Sequence, residues 1–159
     1  DVEGRKTVMD LVQNIGQRIY PVGRLDKDTE GLLLLTNDGN FSHRILHPSY
    51  KLKKTYLAWV EGHPDKKEIQ KLRTGIWLPT GLTASAVVQE IRRRGVQTHY
   101  RIVIHEGKKR QIRQMFQAIG SKVDYLKRIR IGGLSLGALP KGQFRYLEED
   151  EIRSLKGKG

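Results

Sequence analysis

The acidic residues that could do chemistry lie close together near the N-terminus. Residues 23–39 read GRLDKDTEGLLLLTNDG and carry Asp26, Asp28 and Glu30 at alternate positions, followed by a glycine and four leucines. Such carboxylates could hold a calcium ion, take part in magnesium-dependent phosphoryl transfer, or supply one catalytic carboxylate. Each kind of site requires different neighbours, so the surrounding residues discriminate between them.

A metal site fits these neighbours poorly. In an EF-hand loop beginning at Asp26, the twelfth position must supply a bidentate carboxylate, and here it is Asn37. The sequence DKDT at 26–29 also matches the DxDxT motif of phosphatases with an aspartate nucleophile, which need magnesium held by further carboxylates. Their nucleophile ends an apolar strand, whereas here the apolar run follows the acids. The later acidic cluster at 148–151 is typical of an exposed helix start. Both metal interpretations are therefore disfavoured.

In the third interpretation Asp26 is the working group. Arg24 lies two residues before Asp26, so in an extended chain both side chains point the same way. Gly23 and Gly31 let the backbone turn sharply, and the leucine run would anchor the loop in a core. A surface loop in which Arg24 only neutralises Asp26 fits the same residues. This stretch alone therefore leaves a catalytic and a structural role open.

The rest of the chain predicts the elements that would position this loop. Hydrophobic patterns favour an α+β fold with a largely antiparallel mixed β-sheet flanked by helices. Strands are predicted at 18–22, 32–36, 54–60, 82–91, 98–105 and 122–131, and helices at 41–46, 64–74, 110–119 and 148–155. A further helix is predicted to begin at 7–10, a tight turn at 37–39, and a hairpin with a basic tip at 92–95. We expect one domain over residues 1–159, with a disordered tail from about residue 156.

The composition indicates a polyanionic partner. Thirty Lys and Arg residues oppose seventeen acids, which gives a formal net charge of +13. Twelve of the basic residues and only two acids lie between Ile91 and Ile131, a distribution typical of nucleic-acid binding. The absence of cysteine excludes disulfides and thiolate catalysis and is compatible with the cytoplasm. No apolar run has the length of a membrane span, so we expect no membrane partner.

Four segments in the same order resemble one family, the bacterial ribosomal RNA pseudouridine synthases of the RsuA and RluB group. The stretch at 23–39 resembles its signature, and KTYL at 54–57 resembles its K-x-Y strand. EGKKRQIRQMF at 106–116 resembles its QIRRM-type helix, and RIRIG at 128–132 with LPKG at 139–142 resembles its closing segment. Most of the group carries an S4 RNA-binding domain first, and nothing before Gly4 here can be one. We therefore expect this sequence to contain the catalytic domain alone, with the pseudouridine synthase catalytic fold. Either this member lacks the S4 domain, or the sequence, which starts at Asp1 rather than Met, has been trimmed.

The resemblance implies an enzyme that flips a uridine of ribosomal RNA and isomerises it to pseudouridine without a cofactor or metal ion. It implies that Asp26 attacks or deprotonates the ribose-base unit, at C1′ or at C2′. Tyr56 would pack against the base and help to move the C5 proton, and Arg113 would pair with Asp26. Arg24 would fill the gap left by the flipped nucleotide. The sequences at 29–39 and 54–57 resemble the members that modify large-subunit (23S) RNA more closely than the small-subunit member.

The basic residues expected to contact RNA are Arg24, Lys54, Arg92, Arg93, Arg94, Lys108, Lys109, Arg110, Arg128 and Arg130. The expected partner is ribosomal RNA, free or in a pre-ribosomal particle, and the protein is expected to be a cytoplasmic monomer. The alternative is a non-catalytic RNA-binding module on the same fold. The joint presence of Asp26, Tyr56 and Arg113 favours the enzyme.

Overall fold

The computed structural model describes residue 9 and residues 16–157. The strands are β1 Tyr20–Val22, β2 Glu30–Gly31, β3 Leu34–Thr36, β4 Lys54–Glu61, β5 Trp77–Leu78, β6 Gly81–Leu82, β7 Val87–Arg94, β8 Gln97–Ile104, β9 Val123–Ile131 and β10 Leu134–Ser135. The helices are α1 Gly39–Leu46, α2 Lys66–Thr74, α3 Gln111–Ala118 and α4 Glu149–Lys156. None of these helices is long and apolar enough to cross a membrane.

The central sheet has the order β10-β9-β4-β8-β7, and neighbouring strands run antiparallel. Strand β2 adds a short parallel pairing to β9. Strands β1 and β3 form a separate antiparallel ribbon. The predicted α+β class with a largely antiparallel mixed sheet is therefore confirmed.

Alternation along β4 divides the sheet into two faces. Tyr56, Ala58 and Val60 point to the inner face, where they join one buried cluster. Helices α2 and α3 complete that cluster through Ile69, Leu72, Ile112, Met115 and Phe116. A second cluster joins the β1–β3 ribbon to α1, α4 and the end of β9 through Val22, Leu34, Phe41, Ile45, Ile131, Leu134 and Leu155. The acidic loop at 23–31 connects the ribbon of the second cluster to β9 of the main sheet.

The leucine run differs from the single buried strand predicted at 32–36. The chain leaves β9 after Gly31 and starts a new strand at Leu34, because Leu34 to Thr36 pair with β1. Only Leu34 of the run is fully buried. The turn predicted at 37–39 is wrong as well: Asp38 caps α1, and its Oδ1 accepts a hydrogen bond from the backbone N–H of Phe41 at 3.1 Å.

The hairpin and the two termini also differ in detail. Arg92, Arg93 and Arg94 belong to β7 rather than to the tip, and residues 95–96 make the turn with Gly95 at φ +58°. Helix α4 ends at Lys156, about where the tail is predicted to begin; residues 158–159 lie outside the described residues, so the disordered tail stays a prediction. The helix predicted to begin at 7–10 falls, apart from residue 9, outside them too.

Candidate active site

The loop that carries Asp26 is tied to the central sheet at its far end. Asp26 begins a tight turn, in which the backbone N–H of Thr29 donates to its carbonyl oxygen at 2.9 Å. The chain then passes through Gly31, which has φ +117°. A Cβ at this position would lie 2.1 Å from the carbonyl oxygen of Arg128, so only glycine allows the backbone to pass this close to β9.

Arg128 on β9 holds the end of the acidic loop against the sheet through both its backbone and its side chain. Its backbone carbonyl accepts from Leu32 N at 2.8 Å, and its Nε donates to the carbonyl oxygen of Leu32 at 2.9 Å. Arg128 is only 5% exposed, and its predicted contact with RNA stays a prediction. Side chains alternate along β9, and Arg128 occupies an inward-facing position. A buried guanidinium needs a hydrogen-bond acceptor inside the protein, which here is the Leu32 carbonyl oxygen. Arg128 therefore fixes the Asp26 loop on the sheet.

A cavity of about 830 Å³ opens between this loop, the beginning of β4 and the segment that leads into α3. Half-buried Asp26 lines it, together with Tyr56, which is 9% exposed, and Arg113 from the first turn of α3. Exposed Arg24 also lines it. The structure thus brings the three predicted catalytic residues to one concave site, large enough for a nucleoside.

The predicted pairing between Arg113 and Asp26 is not what the structure contains. Arg113 Nε lies 3.4 Å from Asp28 Oδ1, and its Nη2 donates to the Asp28 carbonyl oxygen at 2.6 Å. Its Nη1 donates to Val123 O at 3.2 Å. The turn at 26–29 presents Asp28 rather than Asp26 to α3, because side chains two residues apart diverge once the chain leaves an extended conformation. Arg113 therefore positions the acidic loop through Asp28.

Asp28 also binds the guanidinium of Arg110 through both oxygens, at 3.0 and 2.8 Å. This hydrogen bond is the largest influence on the carboxyl and holds the pKa of Asp28 below its usual value, with the charges of both arginines adding to it. The same bond raises the pKa of Arg110, to which the negative charge of Asp26 also contributes. Asp26 therefore lies in a positive field, although within the described residues its carboxylate has no ion-pair partner.

Lys54 lies beside Tyr56 on the cavity wall, and its Nζ donates to the carbonyl oxygen of Glu106 at 2.9 Å. Burial is the main reason that the pKa of Lys54 is lowered; the charge of Arg128 adds to this and that of Glu106 opposes it. Lys54 is a partly desolvated cation inside the site rather than an open surface contact.

The segment that leads into α3 is held by a network that the sequence did not reveal. The Glu106 carboxylate accepts from Ala84 N at 2.6 Å and from Gln111 Nε2 at 2.9 Å. Lys108 Nζ lies 3.7 Å from the other oxygen, and Lys108 N donates to Gln111 Oε1 at 3.1 Å. The available signal was that Glu106 is one of only two acids in the basic block. The network fixes the segment that carries Arg110 and Arg113.

The remaining predicted RNA contacts divide into two groups. Lys108, Lys109 and Arg110 line the cavity, as Arg24 and Lys54 do. Arg130 is exposed on β9, outside the cavity lining. The second group is Arg92, Arg93 and Arg94 at the end of β7, which pair with the beginning of β8. The cavity borders the opposite end of β8, so these arginines lie at the far end of the sheet from it. The basic block is therefore one run in sequence but two surfaces in space.

With this geometry in hand, known proteins can be compared. A family model described as RNA pseudouridylate synthase matches residues 6–118. The chain belongs to the RNA pseudouridylate synthase family. The resemblance seen in the four motifs is thereby confirmed.

Two relatives are each 46% identical to this chain. One is an uncharacterized RNA pseudouridine synthase of Aquifex aeolicus (strain VF5), matched over 96% of this chain and 61% of that protein. The other is the ribosomal large subunit pseudouridine synthase B of Bacillus subtilis (strain 168), matched over 98% of this chain and 65% of that protein. The chain therefore spans somewhat less than two thirds of the length of these relatives.

Solved structures support the same family. A crystal structure of a pseudouridylate synthase superposes with a TM-score of 0.80 and 35% identity, covering 86% of this chain and 59% of the other. An H/ACA ribonucleoprotein bound to a substrate RNA contains a chain that superposes with a TM-score of 0.64 at 18% identity, which shows a shared fold alone. The predicted pseudouridine synthase fold is confirmed.

Proposed function

We propose that this chain isomerises a uridine of ribosomal RNA to pseudouridine, with the Asp26 carboxylate as the reacting group. The observation that carries the proposal is the shared cavity of Asp26, Tyr56 and Arg113 in a member of the pseudouridylate synthase family. The product has the same composition as the substrate, because the N1–C1′ bond breaks, a C5–C1′ bond forms, and the proton lost from C5 is replaced by one gained at N1. No oxidant, reductant or transferred group is needed.

The residues around the cavity divide this work between them. The Asp26 carboxylate acts on the ribose, either by addition to C1′ or by removing the C2′ proton. The ring of Tyr56 holds the extruded uracil, since a base inside a stacked helix cannot reach the carboxylate. Arg110 and Arg113, through Asp28, hold the turn so that Asp26 faces the sugar.

The rim of the cavity supplies the RNA contacts. Exposed Arg24 is placed to occupy the space that the flipped nucleotide leaves in the RNA. Lys108, Lys109 and Arg110 lie where the phosphates of the entering strand would pass, and such contacts fix position rather than sequence. The protein would act as a cytoplasmic monomer on free ribosomal RNA or on a pre-ribosomal particle.

We place the target uridine in 23S, the large-subunit RNA. Support comes from the 46% identity with the Bacillus subtilis protein named for the large subunit. The test is incubation of the protein with separate large-subunit and small-subunit RNA, followed by chemical mapping of pseudouridine. Modification of large-subunit RNA alone is expected, and modification of small-subunit RNA alone would contradict this assignment.

The rival function is a non-catalytic RNA-binding module on the same fold. It predicts RNA binding with no new pseudouridine in either RNA, and with no change when Asp26 is replaced. The same mapping experiment therefore separates the two functions.

A further inference from the structure

The central sheet has an outer face, opposite the one that packs on α2 and α3. Strand register places Arg92, His99, Trp59 and Tyr125 in one row across β7, β8, β4 and β9. Their side chains point away from the buried Tyr56, Ala58 and Val60 cluster, because neighbours along a strand alternate. Trp59 and His99 are half-buried, and the other two side chains are exposed. The row thus forms an accessible aromatic and basic surface.

The aromatic groups hold two guanidinium groups in place. The indole of Trp59 stacks on the imidazole of His99, with ring centroids 4.3 Å apart and planes at 9°. The guanidinium carbon of Arg94 lies 4.3 Å from the indole centroid, and that of Arg92 lies 5.3 Å from it. Both distances are in the range of cation–π attraction. The two cations are therefore arranged before any ligand arrives.

These two cations are not neutralised within the described part of the chain. Neither Arg92 nor Arg94 forms an ion pair there, whereas Arg93, between them, lies 3.3 Å from Glu90. A register shift between Glu90 and Arg92 explains the difference. Glu90 pairs with buried Tyr100 and Arg93 with buried Thr98, so both lie on the inner side of the sheet, whereas Arg92 pairs with His99 on the outer face. Two of three consecutive arginines are thus left available on the outer face.

The surrounding charges keep the outer face positive. Arg101 and Lys127 flank Leu57 in the next row of the same face. The acids nearby are Glu61, which is paired with Gln97 in register, Asp124, whose carboxylate accepts from Gln97 Nε2 at 2.8 Å, and Glu30 of β2, whose carboxylate accepts from the Tyr125 hydroxyl. The pKa of His99 is lowered, mainly by burial and then by the charges of Arg92 and Arg94. His99 therefore stays neutral at pH 7 and stacks without adding charge.

We propose that the outer sheet face centred on Arg92, Arg94 and Trp59 binds single-stranded RNA. The guanidinium groups contact phosphates, and the planes of these groups that face away from the indole offer stacking surfaces to bases. This proposal rests on the proposed function in taking RNA as the substrate. Trp59 lies three residues from Tyr56 along β4, about 10 Å, and points to the opposite face. The RNA segment that binds to the outer face therefore does not include the uridine that reacts in the cavity.

RNA fits this surface better than a protein partner does. The centre of a protein interface is depleted of charged residues, whereas four basic side chains here surround one aromatic pair. Planar guanidinium groups over aromatic rings are a common means of holding unpaired nucleotides.

The tryptophan itself provides the assay. Trp77 on β5 is 74% exposed, and replacing it by Trp77→Phe leaves Trp59 as the sole indole. This variant is titrated with a short oligocytidylate, which contains no uridine and cannot be isomerised. We expect the fluorescence of Trp59 to change with binding, and the reciprocal Trp59→Phe variant to show no comparable change from Trp77.

Charge variants test the same surface independently. The double substitution Arg92→Gln/Arg94→Gln should weaken oligocytidylate binding by at least about threefold and lower the salt slope by up to about 1.4. Arg93→Gln, whose charge is already paired, and Lys66→Gln/Lys67→Gln on α2 should have smaller effects. Circular dichroism confirms that each variant folds.

Two outcomes would overturn the proposal. One is equal oligocytidylate affinity for the Arg92/Arg94 double variant and the α2 control, with unchanged Trp59 fluorescence. The other is self-association, measured by sedimentation, that depends on Arg92 and Arg94 while RNA affinity does not; this would identify a protein interface. A protein that binds oligocytidylate as expected but makes no pseudouridine would contradict the proposed function and leave this surface intact.

Discussion

At the scale of single residues, the site depends on two aspartates with different tasks. Asp26 faces the cavity without an ion-pair partner among the described residues, whereas Asp28 takes both Arg110 and Arg113. The sequence could not separate these tasks, because the two acids are equivalent by spacing and only the turn at 26–29 decides which one meets α3. Asp28 thus leaves the Asp26 carboxylate open to the cavity.

The first prediction concerns Asp28→Asn, which removes the charge that both arginines bind. The pKa of Asp28 is lower in the folded state than its ordinary value of 3.8, so the ionised carboxyl stabilises the fold at pH values above 3.8. This contribution to stability is lost as the pH falls through the folded-state pKa. We therefore expect a modest loss of thermal stability at pH 7 that disappears in strongly acidic solution, together with reduced turnover. Melting curves across pH measure it, with Glu61→Gln as the control. A stability difference independent of pH would contradict the ion-pair account.

At the scale of elements, the strands and helices with clear periodicity were predictable and the conformation of the acidic loop was not. Strand β4 and helices α2 and α3 lie close to their predicted positions, because alternation and an apolar stripe each report burial directly. The strand at the leucine run was predicted incorrectly, because four consecutive leucines show no hydrophobic periodicity. The path of the chain at Gly31 also depends on a contact with Arg128, which is distant in sequence. Cavity-lining residues were found through motif resemblance, and the network of Glu106 and Gln111 was not.

The second prediction tests the close approach of Gly31 in β2 to the backbone of β9. Gly31→Ala would place a Cβ against the Arg128 backbone at φ +117°, so we expect a loss of about 2–4 kcal/mol in unfolding free energy and a marked loss of turnover. Gly142→Ala is the matched control, because Gly142 also has positive φ, at +83°, but open space around it. The control should lose only about 1–2 kcal/mol. Equal losses in denaturant titrations would show that the close approach to β9 is unimportant.

At the scale of the whole molecule, charge is distributed over two separate surfaces. The net charge of +13 includes the rim of the cavity and the outer face of the sheet. A basic block in a sequence predicts nucleic-acid binding but does not show which side chains share a face, because that depends on strand register. Arg93 and Arg128 illustrate this, since Arg93 is paired with Glu90 and Arg128 is buried beneath the acidic loop.

The third prediction concerns the rim. Lys109→Gln removes an exposed cation from the edge of the cavity, so RNA affinity should fall for all sequences and the salt slope should decrease by about 1. Lys66→Gln on α2, distant from the cavity lining, removes the same charge as a control. Affinities measured over a series of salt concentrations give both slopes. Identical slopes for the two variants would remove Lys109 from the RNA-binding rim.

The central claim is that the Asp26 carboxylate carries the isomerisation, and Asp26→Asn tests it most directly because the amide keeps the shape and loses the charge. The measurement is tritium release from ribosomal RNA labelled at C5 of uridine, alongside RNA affinity for the same variant. We predict release reduced by about a thousandfold or more, with affinity close to that of the unsubstituted protein. Release within about tenfold of the unsubstituted rate, at unchanged affinity, would contradict the account.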